Sequence, residues 1–309
     1  MKPPREPVHG LLLLDKPAGL SSNAALQRAR RLLNAAKAGH TGTLDPFAEG
    51  LLPLCFGEAT KFSQFLLEAD KSYRAMMRLG ITTTTGDPEG EILETRAVQV
   101  TPAQVEAAMA PLRGEIAQTP PMYSALKVAG RPLYEYARAG ITLPRAARRV
   151  RIAHLELLAL EGNLLSFEVR CSSGTYVRTL AEDLGSALGC GGHLLRLMRT
   201  ATGGFASDRA IAPDALEALP PAERAAVLLP VDALVSHLPA LALSEEHALA
   251  LAQGQILPCP GGAGLFRLHG PQGRFLGIGQ CGEEDGLLRA RRLVAQESSR
   301  QTPAKTLRY

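Results

Sequence analysis

Gly39-His40-Thr41-Gly42-Thr43-Leu44-Asp45-Pro46-Phe47-Ala48-Glu49-Gly50 sets one carboxylate, Asp45, among small residues, with a proline directly after it. Gly39, Gly42 and Gly50 allow backbone conformations that residues with side chains resist. Pro46 fixes its own φ and pushes Asp45 towards an extended conformation. Such a segment suits a loop that presents one acid to a ligand at close range. An Asx-turn that merely caps the loop is the plainer alternative, so the surrounding sequence has to decide.

A chain of 309 residues, 46% hydrophobic, has room for one large domain or for a large and a small one, with a sizeable buried core. Its net charge of +4 is unevenly placed. Residues 120–151 hold Lys127, Arg131, Arg138, Arg145, Arg148, Arg149 and Arg151 against a single acid, Glu135, and Arg28, Arg30, Arg31 and Lys37 make a second cluster. Concentrated basic patches on a nearly neutral chain suggest a local polyanion, of which nucleic acid is the common case, although solvated helix faces would look similar. The five cysteines, Cys55, Cys171, Cys190, Cys259 and Cys281, are odd in number and without a C-x-x-C, so reduced thiols in a cytoplasmic protein are expected. The first apolar run, Leu11 to Leu14, is too short for a signal-peptide core, and no uncharged run is long enough for a membrane helix. His40, His154 and His193 lack the spacing of metal ligands, so no metal or other cofactor is expected.

Periodicity gives the outline. Residues 9–15 read as a buried strand, and Ser21 or Ser22 caps a helix to about Lys37 with Leu26, Ala29, Leu32, Leu33 and Ala36 on one face. A loop over 38–50 and a helix over 58–68 follow. Tyr73, Ala75, Met77 and Leu79 alternate as in a strand, and residues 81–90 read as a loop. Thr101-Pro102-Ala103-Gln104 has the cap, the first-turn proline and the capping-box glutamine of a helix start. Residues 119–148 look like an excursion from the core; strands resume over 149–160 and 164–171, and Ser173-Gly174-Thr175 leads into a helix to about Leu188. From residue 241 short alternating runs indicate a small β-rich domain. Strands and helices do not alternate as βαβ units, so the fold class is α+β, with a mixed, largely antiparallel central sheet and flanking helices.

Four segments carry a resemblance: Asp15-Lys16-Pro17-Ala18-Gly19-Leu20-Ser21-Ser22, the 39–50 loop, Lys71-Ser72-Tyr73-Arg74, and Gly174-Thr175-Tyr176-Val177-Arg178-Thr179-Leu180. Together they resemble the pseudouridine synthases, and within that group the bacterial tRNA pseudouridine-55 synthase (TruB-type) family. The resemblance spans the chain. Gln118 to Lys127 with Tyr134, Ala137 and Arg138 is similar to the family's inserted thumb, about residues 120–148. Gly191-Gly192-His193 with Leu197 and Arg199 also fits, and the tail resembles a PUA-type RNA-binding domain. This implies a catalytic domain over 1–240 and a PUA-like domain over 241–309.

The implied reaction isomerises uridine in the tRNA T-loop: the N1–C1′ bond breaks, the base turns and C5 bonds to C1′, with no redox change. An acid–base or nucleophilic group is needed beside an anomeric carbon, a task carboxylates perform in glycosidases. Asp45 matches the family's catalytic aspartate; attack on the sugar, attack on pyrimidine C6 and abstraction of a ribose proton to give a glycal all remain open. Arg178 matches the cation that keeps this carboxylate ionised and oriented. Tyr73 aligns with the tyrosine that stacks on the target base and takes part in moving the C5 proton. Tyr176, on one face with Leu180 and Leu184, reads as a pocket wall, and Leu197 as an apolar wall of the uracil pocket. The resemblance assigns His40 to substrate binding, holding either the extruded nucleotide or the gap it vacates in the T-loop. Lys16 is grouped with the substrate-binding residues, although structural support is the stronger reading of Lys16-Pro17.

The implied partner is the T-arm stem-loop of tRNA, bound by a monomer that needs no guide RNA, obligate protein partner or membrane. Three rival readings share some of these features. A guide-RNA-dependent pseudouridine synthase shares the Asp loop and the PUA domain but lacks the thumb. A tRNA-folding chaperone would not need the set Asp45, Tyr73 and Arg178. A hydrolytic glycosidase would need a second carboxylate, for which Glu49 is the candidate.

Overall fold

The computed structural model describes residues 4–295. The chain parts into two compact units, Met1–Pro230 and Val231–Tyr309. In the first, the opening leucine run forms β1 (Gly10–Lys16), with Leu11 to Leu14 all buried. α1 (Ser22–Leu32) starts where the Ser21 hydroxyl accepts the amide of Ala24, and it buries Ala25, Leu26 and Ala29. It stops short of the expected Lys37. Asn34 takes a positive φ of 49°, and the Arg30 guanidinium folds back on the carbonyls of Ala35 and Ala36.

The segment expected as one loop over 38–50 begins as β2 (Ala38–His40) and ends inside β3 (Glu49–Phe56). A 3-10 turn, Gly57–Phe62, leads into α2 (Ser63–Glu68), so only the second half of the expected helix is α-helical. β4 (Lys71–Leu79) shows the anticipated alternation. β5 (Ile81–Thr83) and β6 (Ile92–Thr95) pair as a hairpin around residues that read as a loop. Then come α3 (Pro102–Met109), with both halves of its capping box formed, and β7 (Gly114–Gln118). In the excursion, β8 (Lys127–Val128) and β9 (Arg131–Pro132) meet through Ala129 and Gly130, both at positive φ, before α4 (Leu133–Arg138). The unit finishes with β10 (Arg148–Glu161), β11 (Leu164–Cys171), α5 (Val177–Ala187), β12 (Gly192–Thr202), β13 (Phe205–Ala206) and α6 (Pro213–Ala218).

Nine strands form one sheet in the order β1-β3-β12-β4-β11-β10-β7, with β2 attached to β3 and β13 to β12. Every pairing is antiparallel except β3 with β12, which is parallel at Met198↔Glu49 and Arg199↔Gly50. The fold is thus the expected α+β class with a mixed, largely antiparallel sheet. That one parallel joint matters for function, because it brings the end of the glycine loop onto the central strands.

The second unit is β-rich: β14 (Ala240–Ala242), α7 (Glu245–Ala252), β15 (Leu257–Pro258), β16 (Gly264–His269), β17 (Phe275–Cys281) and β18 (Leu287–Leu293). Its five strands run β14-β16-β17-β18-β15 over a core of Leu243, Leu251, Leu268, Leu276 and Leu288. Here one expectation is corrected. Cys259 and Cys281 are joined as a disulfide, while Cys55, Cys171 and Cys190 are free and buried. β15 and β17 both flank β18, and this brings together two cysteines that no local motif links.

Candidate active site

The loop that carries Asp45 is fastened at several points. Ser22, buried at the start of α1, accepts the Leu44 amide at 2.8 Å and donates to the Leu44 carbonyl at 2.9 Å. Thr41 binds the Pro53 carbonyl through its amide and hydroxyl. The Pro46 carbonyl accepts from the Gly19 amide at 2.8 Å and from Lys16 Nζ at 3.2 Å. Gly42 and Gly50 sit at φ of 132° and 95°; a Cβ at Gly50 would lie 2.4 Å from the Arg199 carbonyl oxygen, so the parallel joint requires glycine.

Arg178, 3% exposed on the first turn of α5, holds Asp45 by two bonds, Nε to Oδ2 at 2.9 Å and the terminal nitrogen to Oδ1 at 3.3 Å. Bidentate pairing of this kind fixes a carboxylate in orientation as well as in place. The remaining guanidinium donors reach the carbonyls of Thr85 at 2.8 Å and Tyr123 at 2.7 Å, and Asp87 Oδ2 lies 3.5 Å away. A single cation therefore ties the Asp45 loop, the β5–β6 hairpin and the excursion together. About a third of the Asp45 side chain stays open. Burial raises the Asp45 pKa above its ordinary value, Arg178 pulls it back, and Asp87 adds to the rise. Asp87 itself is buried and accepts from the Thr85 hydroxyl and the Glu89 amide. Sequence reading missed Asp87, yet Gly86-Asp87-Pro88 repeats the glycine, aspartate and proline grammar of the first loop.

Asp45 faces a cavity of about 440 Å³. This lies within the usual range of about 300–1,000 Å³ for ligand sites. Tyr73 on β4, Leu197 and Arg199 on β12, Tyr176 just ahead of α5, and His40 at the end of β2 all line it. Register explains the convergence: Tyr73 pairs with Arg199 and Ala75 with Leu197. Six of the seven residues expected at the site, all but Lys16, are therefore brought together. Tyr176 takes the N-cap position rather than a place on the helix face, with its amide and carbonyl both clamped by the Gln118 side chain. Among the described residues His40 Nδ1, buried, has no hydrogen-bond partner, and burial followed by Arg199 lowers its pKa, which favours the neutral imidazole. Asp45 and His40 also line a second cavity, of about 490 Å³, whose far wall is Tyr123, Ser124, Tyr134 and Arg138 from the excursion.

Lys16 is corrected: it is fully buried, and its ammonium is taken up by the carbonyls of Pro17, Leu20 and Pro46. Burial lowers its pKa to about 8. It supports the Asp45 loop from behind. Glu49, the carboxylate a hydrolase would have used, lines a different cavity from Asp45. Of the second basic cluster, Arg28 is paired with Asp214 and Glu217, and Arg30 is bound to backbone carbonyls, so neither is a free phosphate contact.

The fold and this site define a class, the pseudouridine synthases. Two solved structures share the architecture. One, a Cbf5–Nop10–Gar1 complex, matches with a TM-score of 0.69 at 26% identity over 90% of this chain and 80% of that one. The other, an H/ACA RNP bound to a substrate RNA containing 2′-deoxyuridine, has a TM-score of 0.71 at 24% identity, over 94% and 87%. The chain belongs to the TruB family of tRNA pseudouridine synthases. Residues 30–177 match the N-terminal domain of the TruB family pseudouridylate synthases, residues 178–236 the tRNA pseudouridylate synthase B C-terminal domain, and residues 239–294 the C-terminal domain of pseudouridine synthase II TruB. The tRNA pseudouridine synthase B of Aromatoleum aromaticum is 60% identical over 96% of both chains, and that of Thiobacillus denitrificans 57% identical over 96% of this chain and 99% of its own.

Proposed function

We propose that the chain isomerises the uridine at position 55, in the T-loop of tRNA, with Asp45 as the catalytic carboxylate. The observation that carries this reading is the partly open Asp45 carboxylate held bidentate by buried Arg178 at the wall of a cavity that Tyr73 and Leu197 also line. As the N1–C1′ bond lengthens, positive charge develops on the ribose, and a fixed anion beside it stabilises that charge. Arg178 keeps Asp45 ionised against its buried surroundings and against Asp87.

Tyr73 stacks on the uracil, Leu197 and Tyr176 close the apolar walls, and neutral His40 occupies the junction of the two cavities, where the extruded nucleotide passes. Flipping a base out of its stack costs a few kcal/mol. Stacking on an aromatic ring returns about 1–3 kcal/mol, so Tyr73 offsets much of that cost. The thumb residues Tyr123, Ser124, Tyr134 and Arg138 border the same entrance and supply protein contacts where a guided enzyme would use its RNA. The chain acts alone, as a monomer of the cytoplasm, with its C-terminal unit as a PUA-like RNA-binding domain. The test is to incubate an unmodified tRNA transcript with the protein and map pseudouridine at single-nucleotide resolution. Modification confined to position 55 is expected. Modification elsewhere, or release of free uracil, would contradict the reading.

A further inference from the structure

We propose that Arg199 is a positioning residue for Tyr73, holding the phenol oxygen towards the uracil and stabilising its anionic form when the C5 proton is removed. The inference deepens the proposed function and rests on the role given there to Tyr73. Arg199 is 1% exposed, among the most buried large side chains of the chain. Its Nε donates to the Leu51 carbonyl at 2.6 Å and a terminal nitrogen to the Gly42 carbonyl at 3.3 Å. Tyr73 and Arg199 are direct partners across the β4–β12 ladder and line the same cavity, which sets the guanidinium beside the phenol.

Among the described residues no carboxylate forms an ion pair with Arg199, in contrast with Arg178 and its aspartates. A buried cation with only neutral acceptors is costly to the fold unless an anion appears beside it. The groups facing the Tyr73 hydroxyl are Arg199 from β12, Cys171 from β11 and Asp45 from the loop, and Lys71 lies on β4 itself, near Arg199. The Lys71 ammonium is occupied by the carbonyls of Leu66, Leu67 and Ala69. Burial raises the Tyr73 pKa, and Arg199 is the largest opposing influence. Once C5 has bonded to C1′, it carries both its hydrogen and the new carbon. The proton passes to the phenolate oxygen, the C–H electron pair restores the C5=C6 double bond, and the C6=N1 pair moves onto N1, which takes a proton from water. The phenol then returns the proton to water. Arg199 makes that phenolate accessible in a site that would otherwise suppress it.

The test uses the full chain, an unmodified tRNA transcript carrying deuterium at uridine C5, and the variants Arg199→Met, Arg199→Lys and Tyr73→Phe. Single-turnover rates and their pH dependence, tRNA affinity and thermal midpoints are read together. Arg199→Met is expected to lower the rate by about 10²-fold or more, the low end of what a positioned acid or base contributes. Its rate should rise only at higher pH than in the parent, with a larger C5 isotope effect and unchanged affinity. Arg199→Lys should recover part of the rate. Installing a fluorotyrosine of lower pKa at position 73 of Arg199→Lys should recover more, a result that a merely structural arginine does not predict. Parental pH dependence and isotope effect in both arginine variants, or a fluorotyrosine without effect, overturn this inference and leave the proposed function standing. No pseudouridine from the parent overturns both.

Discussion

At the scale of single residues the account rests on an anion and a cation in one bidentate pair. Burial raises the Asp45 pKa, and the role proposed for Asp45 needs the ionised form. Activity is therefore present above the raised pKa and lost as pH falls through it, so the acid limb of the single-turnover rate should lie above the ordinary aspartate value of 3.8. Arg178→Met removes the strongest influence holding the carboxylate ionised. The limb should move to still higher pH, and the rate at neutral pH should fall by roughly 10²–10³, the scale of losing a preorganised electrostatic partner. A pH–rate profile of the variant that overlays the parent would contradict the role of the pair. Leu197 gives a milder case. It is 5% exposed on the cavity wall, so Leu197→Ala should cost about 2–5 kcal/mol in denaturant unfolding as well as slowing the reaction.

At the scale of elements, the parallel joint between β3 and β12 sets the site. Gly50 lies at φ 95° with no room for a Cβ against the Arg199 backbone. Gly50→Ala should therefore unfold at lower denaturant and lose activity out of proportion to its distance from the cavity, because the same joint carries Leu197 and Arg199. By contrast, Thr101→Ala, which breaks the capping box of α3, should cost only about 1 kcal/mol and leave the rate unchanged, as measured by urea unfolding and single turnover. These two cases show what could be read in the sequence. The capping box, β1, β4 and the β10–β11 pair were legible because local periodicity and capping chemistry specify them. β12 was not, since bulges after Leu194 and Arg199 break its alternation. The β5–β6 hairpin was hidden by its Gly86-Asp87-Pro88 turn. Asp45, Tyr73 and Arg178 were named through the family resemblance, and the structure sets all three around one cavity. Asp87 and the latch formed by Ser22 could not, because their partners lie far along the chain. The grouping of Lys16 with the substrate-binding residues failed for a related reason, while its reading as structural support fits: sequence shows a lysine near the site but not that three carbonyls enclose its ammonium.

At the scale of the whole molecule, the question is how a chain of net charge +4 holds a polyanion. With Arg28 and Arg30 committed internally, the excursion and the start of β10 remain the principal basic region identified from the sequence. Arg131 there is partly neutralised by Glu135 at 2.7 Å. If about five phosphates are neutralised, log K for tRNA against log salt should slope by roughly −3.5 to −4.5. A slope near zero in a binding titration would show that this region does not meet the RNA backbone. Binding and chemistry are separable on this account, since the basic region holds the RNA and Asp45 acts on one nucleoside. The measurement that tests the central claim most directly is therefore Asp45→Asn, assayed for both tRNA affinity and pseudouridine formation. The account predicts affinity within about tenfold of the parent, or roughly 1.4 kcal/mol, and no pseudouridine at any time point. Conversion of uridine by Asp45→Asn would contradict it.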